Sequence, residues 1–159
     1  MIATRPRAAA LEELSFWIGR AYYNYKLLLE RTLRGVGLDR HVSPGMGHIL
    51  FTLFEEEDCI LRDIAARTRL SSPTITVMLR RMEKAGLVEM RPDPRDGRAV
   101  RVKLSAFGRS IESRCWKALG RLNAVLGGGL TAKEIGLAKR ALAQMVDNMH
   151  QDEVSEGRS

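Results

Sequence analysis

The residues best suited to bind a partner by charge are concentrated in the middle of the chain. Between Arg62 and Lys103 there are eleven Lys and Arg residues against five Asp and Glu residues. This segment therefore carries a net charge of +6, out of a formal charge of +7 for all 159 residues. A basic segment between nearly neutral ends is typical of a module that binds a polyanion. On charge alone, a basic face that is only solvated remains the alternative.

Residue types that support catalysis or metal binding do not form a recognisable group. His41, His48 and His150 lack the spacing of zinc ligands relative to one another or to the cysteines. The acidic run 55–58 has no second acidic cluster for catalysis or calcium, and we interpret it as a solvated helix end. The sequence contains no glycine-rich phosphate loop and no nucleophile elbow. We therefore expect no enzyme activity, no metal and no cofactor.

The two cysteines allow a redox hypothesis. Cys115 falls on the apolar stripe of a predicted helix, so we expect a buried, inert thiol there, while Cys59 is slightly more open to oxidation. No stretch approaches the roughly 20 apolar residues that span a membrane. Acidic and basic residues interrupt the N-terminal segment, which argues against a secretory signal. We expect a cytoplasmic protein without a membrane partner, with one domain over residues 1–159.

Apolar residues that recur every three or four positions predict a mainly helical fold. Ser-Pro pairs, Gly residues and one Thr-x-x-Glu pattern supply the helix ends. The predicted helices run from about Leu11 to Thr32, from Ser43-Pro44 to the acidic run 55–58, from Leu61 to Thr68, from Ser72-Pro73 to Gly86, from Ser105 to about Val125, and onward from Thr131. The stripe of the first helix, which includes Leu14, Ile18 and Tyr25, is expected to face inward. The polar tail 151–159 is expected to fray.

After Gly86 the apolar period changes from helical spacing to two. Val88 and Met90 alternate with charged residues, and so do Val100 and Val102, with the turn-rich segment 92–97 between them. This pattern predicts a two-stranded hairpin with a basic tip. Two short helices joined by a tight turn and followed by such a hairpin form a winged helix-turn-helix. The fold class is therefore mainly α with a small β-wing.

The predicted fold assigns the basic segment a role in binding DNA. A recognition helix enters the major groove with its solvent face, and a wing meets the adjacent minor groove, whose negative potential attracts arginine. The candidate major-groove residues are Ser71, Ser72, Thr74, Thr76, Val77, Arg80, Arg81 and Lys84. Arg95 and Arg98 are the wing candidates. Asp96 is expected to accept hydrogen bonds from the Arg98 guanidinium or from the turn amides, and so to hold Arg98 outward.

These residues carry a family resemblance. The run LRRMEKAGLV at 79–88 and the wing triplet Asp96-Gly97-Arg98 resemble the MarR family of winged helix-turn-helix regulators, and the resemblance extends from about Ser43 to Arg109. It implies a sequence-specific transcriptional regulator, a homodimer on a pseudo-palindromic duplex, and repression that a small aromatic or phenolic ligand releases. The winged core would span 43–104, with dimerisation helices at 8–36 and 105–150.

The resemblance also implies a ligand crevice beside the dimerisation helices. Trp17, Arg20, Met46 and Phe51 are the candidate effector-binding residues, with Arg20 pairing a carboxylate. Gly45 and Gly47 replace bulkier residues of the family and would enlarge a cavity there. Alternatively, Trp17 and Phe51 are ordinary core and Arg20 is a surface residue. Two other functions remain open, a thiol-based redox-responsive regulator and a winged-helix module that binds a protein.

Overall fold

The computed structural model describes the backbone of residues 13–156 and the side chains of residues 13–152. Elements follow in this order: α1 (Leu14–Gly35), α2 (Met46–Glu55), β1 (Asp58–Ile60), α3 (Leu61–Thr68), α4 (Ser72–Lys84), β2 (Val88–Pro92), β3 (Val100–Leu104), α5 (Ala106–Ser110), α6 (Glu112–Leu126) and α7 (Ala132–Glu156). The chain divides into two compact units between Leu122 and Asn123. No helix within residues 13–156 is both long and apolar enough to cross a membrane.

The helix-turn-helix consists of α3 and α4. The bounds of α3 agree with the prediction, and Arg69 closes it in the left-handed conformation, with φ of 54°. The cap of α4 is Ser71 rather than Ser72. The Ser71 side chain accepts a hydrogen bond from the backbone N of Thr74 at 3.4 Å, and Pro73 lies in the first turn. Gly86, with φ of 72°, ends this segment as predicted.

The predicted hairpin is present as β2 and β3, and a third strand, β1, extends the wing to a three-stranded antiparallel sheet. The strand order is β1-β3-β2, so β3 is central. Val102 pairs with Cys59 on one side and with Met90 on the other, and it is fully buried. Strand β1, which was not predicted from the sequence, has three residues. A period of two cannot be recognised over so short a run. The predicted end of the second helix included Asp58, and no element was predicted for residues 59 and 60.

Three other predicted helix boundaries are wrong. Gly45, with φ of 94°, occupies the N-cap of α2, and no side chain caps that helix, so Ser43 is not the cap. The predicted fifth helix breaks at Ile111 into α5 and α6. The C-terminal tail does not fray at Gln151, because α7 continues to Glu156. The predicted cap of α5 is confirmed, since Ser105 accepts a hydrogen bond from the backbone N of Gly108 at 2.9 Å.

The core of the first unit lies between the helix-turn-helix, the sheet and α2. Its fully buried side chains include Ile49, Leu53, Ile64, Ile75, Leu79, Leu87 and Val102. The predicted inward stripe of α1 is exposed along most of its length, with Leu14 at 56% and Tyr25 at 41%. Only Thr32 and Leu33 of α1 are buried. The N-terminal two-thirds of α1 therefore does not belong to this core.

The second unit contains the end of α6, a glycine turn and α7. Gly129 adopts φ of 80° in the turn. The predicted capping box is present. The backbone N of Thr131 donates to Glu134 Oε2 at 2.7 Å, and the backbone N of Glu134 donates to Thr131 Oγ1 at 3.3 Å. The same contacts hold the pKa of the Glu134 carboxyl below its usual value.

Candidate nucleic-acid interface

The recognition helix α4 separates apolar and polar residues onto opposite faces. Ile75, Leu79 and Met82 are fully buried, as predicted. The opposite face carries residues that the structure leaves exposed: Ser72, Thr74, Val77, Arg80, Arg81 and Lys84. Thr76 is half-buried, and its hydroxyl donates to the backbone O of Ser72 at 2.8 Å. The helix thus presents small groups near its start and long cations near its end.

The tip of the wing is ordered by two aspartates. Asp93 is 5% exposed, and its Oδ1 accepts hydrogen bonds from the backbone N of Arg95 at 2.7 Å and of Asp96 at 3.1 Å. Asp96 Oδ1 in turn accepts from the backbone N of Arg98 at 3.0 Å. Of the two ways in which we expected Asp96 to support Arg98, the structure contains the contact with a turn amide. The side chains of Arg95 and Arg98 are left in solvent.

The base of the wing is held by ion pairs that the sequence analysis missed. Asp58 on β1 receives hydrogen bonds from Arg91 at 2.7 Å and from Arg101 Nε at 3.1 Å. Arg101 also donates to the backbone O of Asp58 and to Asp93 Oδ2, at 2.7 and 2.8 Å. Asp58 is 43 residues from Arg101 in sequence, so no local pattern could have paired them.

The pKa values of these groups report the same contacts. Burial raises the pKa of the Asp58 carboxyl, but Arg101 and Arg91 together outweigh burial and hold it below the usual value. The pKa of Asp93 is lowered, first by its hydrogen bond with Arg101 and next by the backbone amide of Arg95. The pKa of Arg101 is raised by the same two carboxylates. The contacts therefore favour the charged forms of Asp58, Asp93 and Arg101.

The structure divides the basic residues of the middle segment into two groups. Those in the first group have partners within the protein, namely Arg62 with Asp63, Arg67 with Glu55 and Glu56, Arg91 and Arg101 with the aspartates above, and Lys103 with Glu89. Arg69 also has an interaction partner and belongs to this group. Those in the second group form no salt bridge with any of residues 13–152: Arg80, Arg81, Lys84, Arg95 and Arg98. All five lie on α4 or at the tip of the wing.

Two clefts flank the wing and carry cations of this second group. One has a volume of about 480 Å³ and is lined by Leu61 and Arg62 at the start of α3 and by Arg95 and Arg98 of the wing tip. The other, of about 300 Å³, lies between α4 and the wing and is lined by Arg80 among others. Helix and wing thus border concave surfaces with guanidinium groups along them.

The candidate effector residues lie in two different settings. Trp17 is 55% exposed on α1, where the Arg20 guanidinium lies 4.8 Å from its ring centroid. Met46 is buried in the core, and the ring of Phe51 packs against those of Phe54 and Trp116. Gly45 itself opens no extra space for a ligand. A Cβ at that position would lie 2.7 Å from Met78 Cε, so Met78 already fills the space.

Both thiols are shielded. Cys59 is 3% exposed and its Sγ donates to the backbone O of Glu56 at 3.1 Å. Burial raises the pKa of Cys59, and it raises the pKa of Cys115 to about 11. Reactive cysteines require an accessible thiolate. The geometry therefore offers no support for the redox hypothesis at either cysteine.

The comparisons with known proteins agree with this architecture. The model of the MarR family matches residues 42–100. The HTH-type transcriptional repressor IacR of Pseudomonas putida is 26% identical over 134 residues, which are 84% of this chain and 78% of the relative. The PcaV regulator of Streptomyces coelicolor, solved with its natural ligand, has a TM-score of 0.76 and 22% identity, and the match covers 92% of this chain and 98% of that chain.

A second solved structure has the same fold in a complex with DNA. A mutant MarR from E. coli complexed with operator DNA has a TM-score of 0.72 and 22% identity, and the match covers 89% of this chain and 99% of that chain. At this identity the two structures establish the fold. The family match, the similarity to the repressor and the shared winged helix-turn-helix together confirm the resemblance found in the sequence. Over residues 42–100 this chain matches the MarR family, and the fold of its described residues is the winged helix of that family's transcriptional regulators.

Proposed function

We propose that this chain is a sequence-specific DNA-binding repressor that acts as a homodimer on a pseudo-palindromic duplex site. The observation that carries the proposal is the placement of the cations without internal partners. Arg80, Arg81 and Lys84 lie on the exposed face of α4, and Arg95 and Arg98 lie at the wing tip. Major-groove and minor-groove contacts by one winged helix require cations on these two elements.

The other proposed major-groove residues have a distinct role. Ser71, Ser72, Thr74 and Thr76 lie at the start of α4, where short side chains allow the helix to approach base edges. Asp96 serves the interface indirectly by ordering the backbone at Arg98. The winged core at 43–104 thus provides every proposed DNA contact.

A homodimer is supported by apolar side chains exposed in the single chain. On α1, Leu14, Trp17 and Tyr22 are 56%, 55% and 68% exposed. On α7, Leu142 and Met149 are 59% and 56% exposed. Apolar surface on this scale marks an interaction site, and the proposal assigns the helices within 8–36 and 105–150 to the two-fold interface. Analytical ultracentrifugation should give twice the chain mass of 17.8 kDa. A monomer at micromolar concentration would contradict the assignment.

The proposal also includes a small-molecule effector that releases the protein from DNA. PcaV, which shares the fold, was solved with its natural ligand. In this chain the exposed Trp17–Arg20 pair offers a stacking surface beside a cation, which suits an aromatic carboxylate, with Met46 and Phe51 as further candidates. Salicylate is a suitable probe. It should quench tryptophan fluorescence and release DNA, and Arg20→Ala should abolish both effects. Release that is unchanged in Arg20→Ala would exclude this site.

The experiment for DNA binding is a fluorescence-anisotropy titration with the duplex that lies upstream of the protein's own gene. It is repeated over a range of salt and with excess competitor DNA. We expect tight binding that resists competitor. Weak binding that salt abolishes, for every upstream fragment, would favour the alternative, a winged helix that binds a protein partner.

Replacement of Arg98 by Ala tests the wing contact. Each dimer would lose two cations from the interface, and each lost phosphate contact reduces the salt slope by about 0.9. We therefore expect weaker binding and a slope that is smaller by roughly 2. Arg40→Ala is the matched control, because Arg40 is exposed between α1 and α2, outside the winged core and the proposed dimerisation helices, and carries the same charge. Equal effects of the two variants would mean that Arg98 acts only through net charge.

A further inference from the structure

A continuous series of ion pairs connects the helix-turn-helix to the wing tip. It begins at Asp58 on β1, the strand that leads directly into α3. The two carboxylate oxygens of Asp58 are shared between Arg91 on β2 and Arg101 on β3. Asp58 therefore ties together all three strands of the sheet at one point.

Arg101 extends the series to the tip. Its Nε and one terminal nitrogen bond Asp58, and its other terminal nitrogen bonds Asp93 Oδ2 at 2.8 Å. Asp93 uses its second oxygen to accept from the backbone amides of Arg95 and Asp96. All three guanidinium nitrogens of Arg101 are thus engaged inside the wing. Arg101 has the charge of a DNA contact but is committed to structure.

We propose that Asp58 is a positioning residue for DNA binding, which fixes the wing tip through Arg101 and Asp93 without contacting DNA. The inference rests on the proposed DNA-binding function and identifies a residue that controls it. A wing fixed in advance avoids the entropic cost of ordering the tip on the duplex. Charge-assisted hydrogen bonds of this kind are also among the stronger polar contacts in proteins.

For Asp58→Asn, the proposal predicts a change in DNA affinity opposite in sign to the change expected from charge alone. Asp58→Asn removes a negative charge from a protein that binds a polyanion, so charge alone predicts tighter binding. Loss of positioning predicts weaker binding, by about tenfold, with an unchanged salt slope because no phosphate contact is lost. Glu89→Gln is the matched control. It removes the same charge from the same sheet, where among the described residues Glu89 forms its salt bridge with half-buried Lys103 and none with Arg101, and it should bind as wild type or slightly tighter.

A variant that keeps the charge of Arg101 is a second test of whether positioning of the wing tip, and not charge, controls DNA affinity. Arg101→Lys keeps the cation, but an ammonium group cannot span two carboxylates and a carbonyl as the planar guanidinium does. We expect the same loss of affinity as in Asp58→Asn, again with an unchanged salt slope. Wild-type affinity in either variant, or tighter binding by Asp58→Asn, would overturn the inference.

Hydrogen exchange provides a readout that needs no DNA. In Asp58→Asn the amides of Arg95 and Asp96 should exchange faster, while the amides of α4 should keep their wild-type protection. If the tip amides are unchanged, the inference fails. If α4 loses protection as well, the variant is globally destabilised and a positioning role is refuted. Absence of specific DNA binding by the wild type would refute the proposed function instead, and exchange at the tip would still report whether Asp58 orders it.

Discussion

Gly108 lies at the closest approach between α5 and the base of the wing, and its replacement by Ala should be costly. A Cβ built at Gly108 would lie 2.0 Å from the carbonyl O of Leu87 and 3.0 Å from its carbonyl C. A real Cβ does not approach backbone closer than 3.0 Å, so one backbone segment must move. The Leu87 carbonyl also accepts a hydrogen bond from the backbone N of Ser105 at 3.0 Å. Movement would strain this bond as well.

The magnitude follows from three terms. Overpacking against fixed structure costs about 1–3 kcal/mol, and a strained hydrogen bond costs about 1 kcal/mol. Alanine in a helix recovers about 1 kcal/mol relative to glycine. The net loss for Gly108→Ala is about 2 kcal/mol, which lowers the Tm of a protein of this size by about 4–8 °C. Thermal and urea unfolding by circular dichroism would measure it, at one fixed protein concentration because the proposed dimer would gain stability with concentration.

Gly120→Ala is the matched control, because Gly120 lies in α6 and a Cβ there would meet nothing within 4 Å. That variant gains helix propensity without overpacking, and it should raise the free energy of unfolding by about 1 kcal/mol. The two substitutions are chemically identical and are expected to have opposite signs. If Gly108→Ala unfolds at or above the wild-type midpoint, the contact between α5 and Leu87 is not as close as described, and the argument fails.

Three further predictions concern groups with no role in contacting DNA. Thr32 Oγ1 is buried without a hydrogen-bond partner within the described residues, so Thr32→Val should raise the free energy of unfolding by about 1 kcal/mol in urea titrations, and a lower midpoint would contradict this. The pKa values of Asp58 and Asp93 are depressed below 3.8, so their stabilisation is present above that pH and is lost as the pH falls through the folded-state pKa. Wild type should therefore lose stability more steeply with acid below pH 3.8 than Asp58→Asn does, and parallel curves would refute the linkage. Cys59 and Cys115 should react slowly with a thiol reagent in the native state, and peroxide should leave DNA affinity unchanged; fast labelling or oxidative release would revive the redox hypothesis.

The helix-turn-helix could be predicted from the sequence because its signals are local. The apolar spacing of Ile75, Leu79 and Met82 identifies the buried face of α4 within four turns. The Ser-Pro pair and Gly86 mark the two ends of the same helix. Each signal lies within the element that it defines, so single-sequence reasoning located α4 and its exposed face with an error of one residue at the cap.

The wing could be predicted only in part because its stability depends on distant residues. Strand β1 has no pattern of its own, and it becomes a strand because the edge of β3 offers Val102 as a partner for Cys59. Two carboxylates order the wing tip, and only one of them could be predicted from the sequence. Asp96 was identified from its spacing to Arg98, but Asp93 was not, because its main partner Arg101 is recognisable only once β2 and β3 are paired.

The net charge of the middle segment and the positions of its cations in the structure lead to different conclusions about which residues are free to bind DNA. The net +6 of the middle segment identified a polyanion-binding module, yet Asp58 and the acids that pair with Arg67 precede Arg62 and fall outside that count. Once they are included, much of the basic excess is neutralised within the protein. The cations that remain lie on α4 and at the wing tip, the two elements that a winged helix places in the grooves of DNA. The salt dependence of binding should therefore reflect these few side chains and not the eleven that the sequence contains.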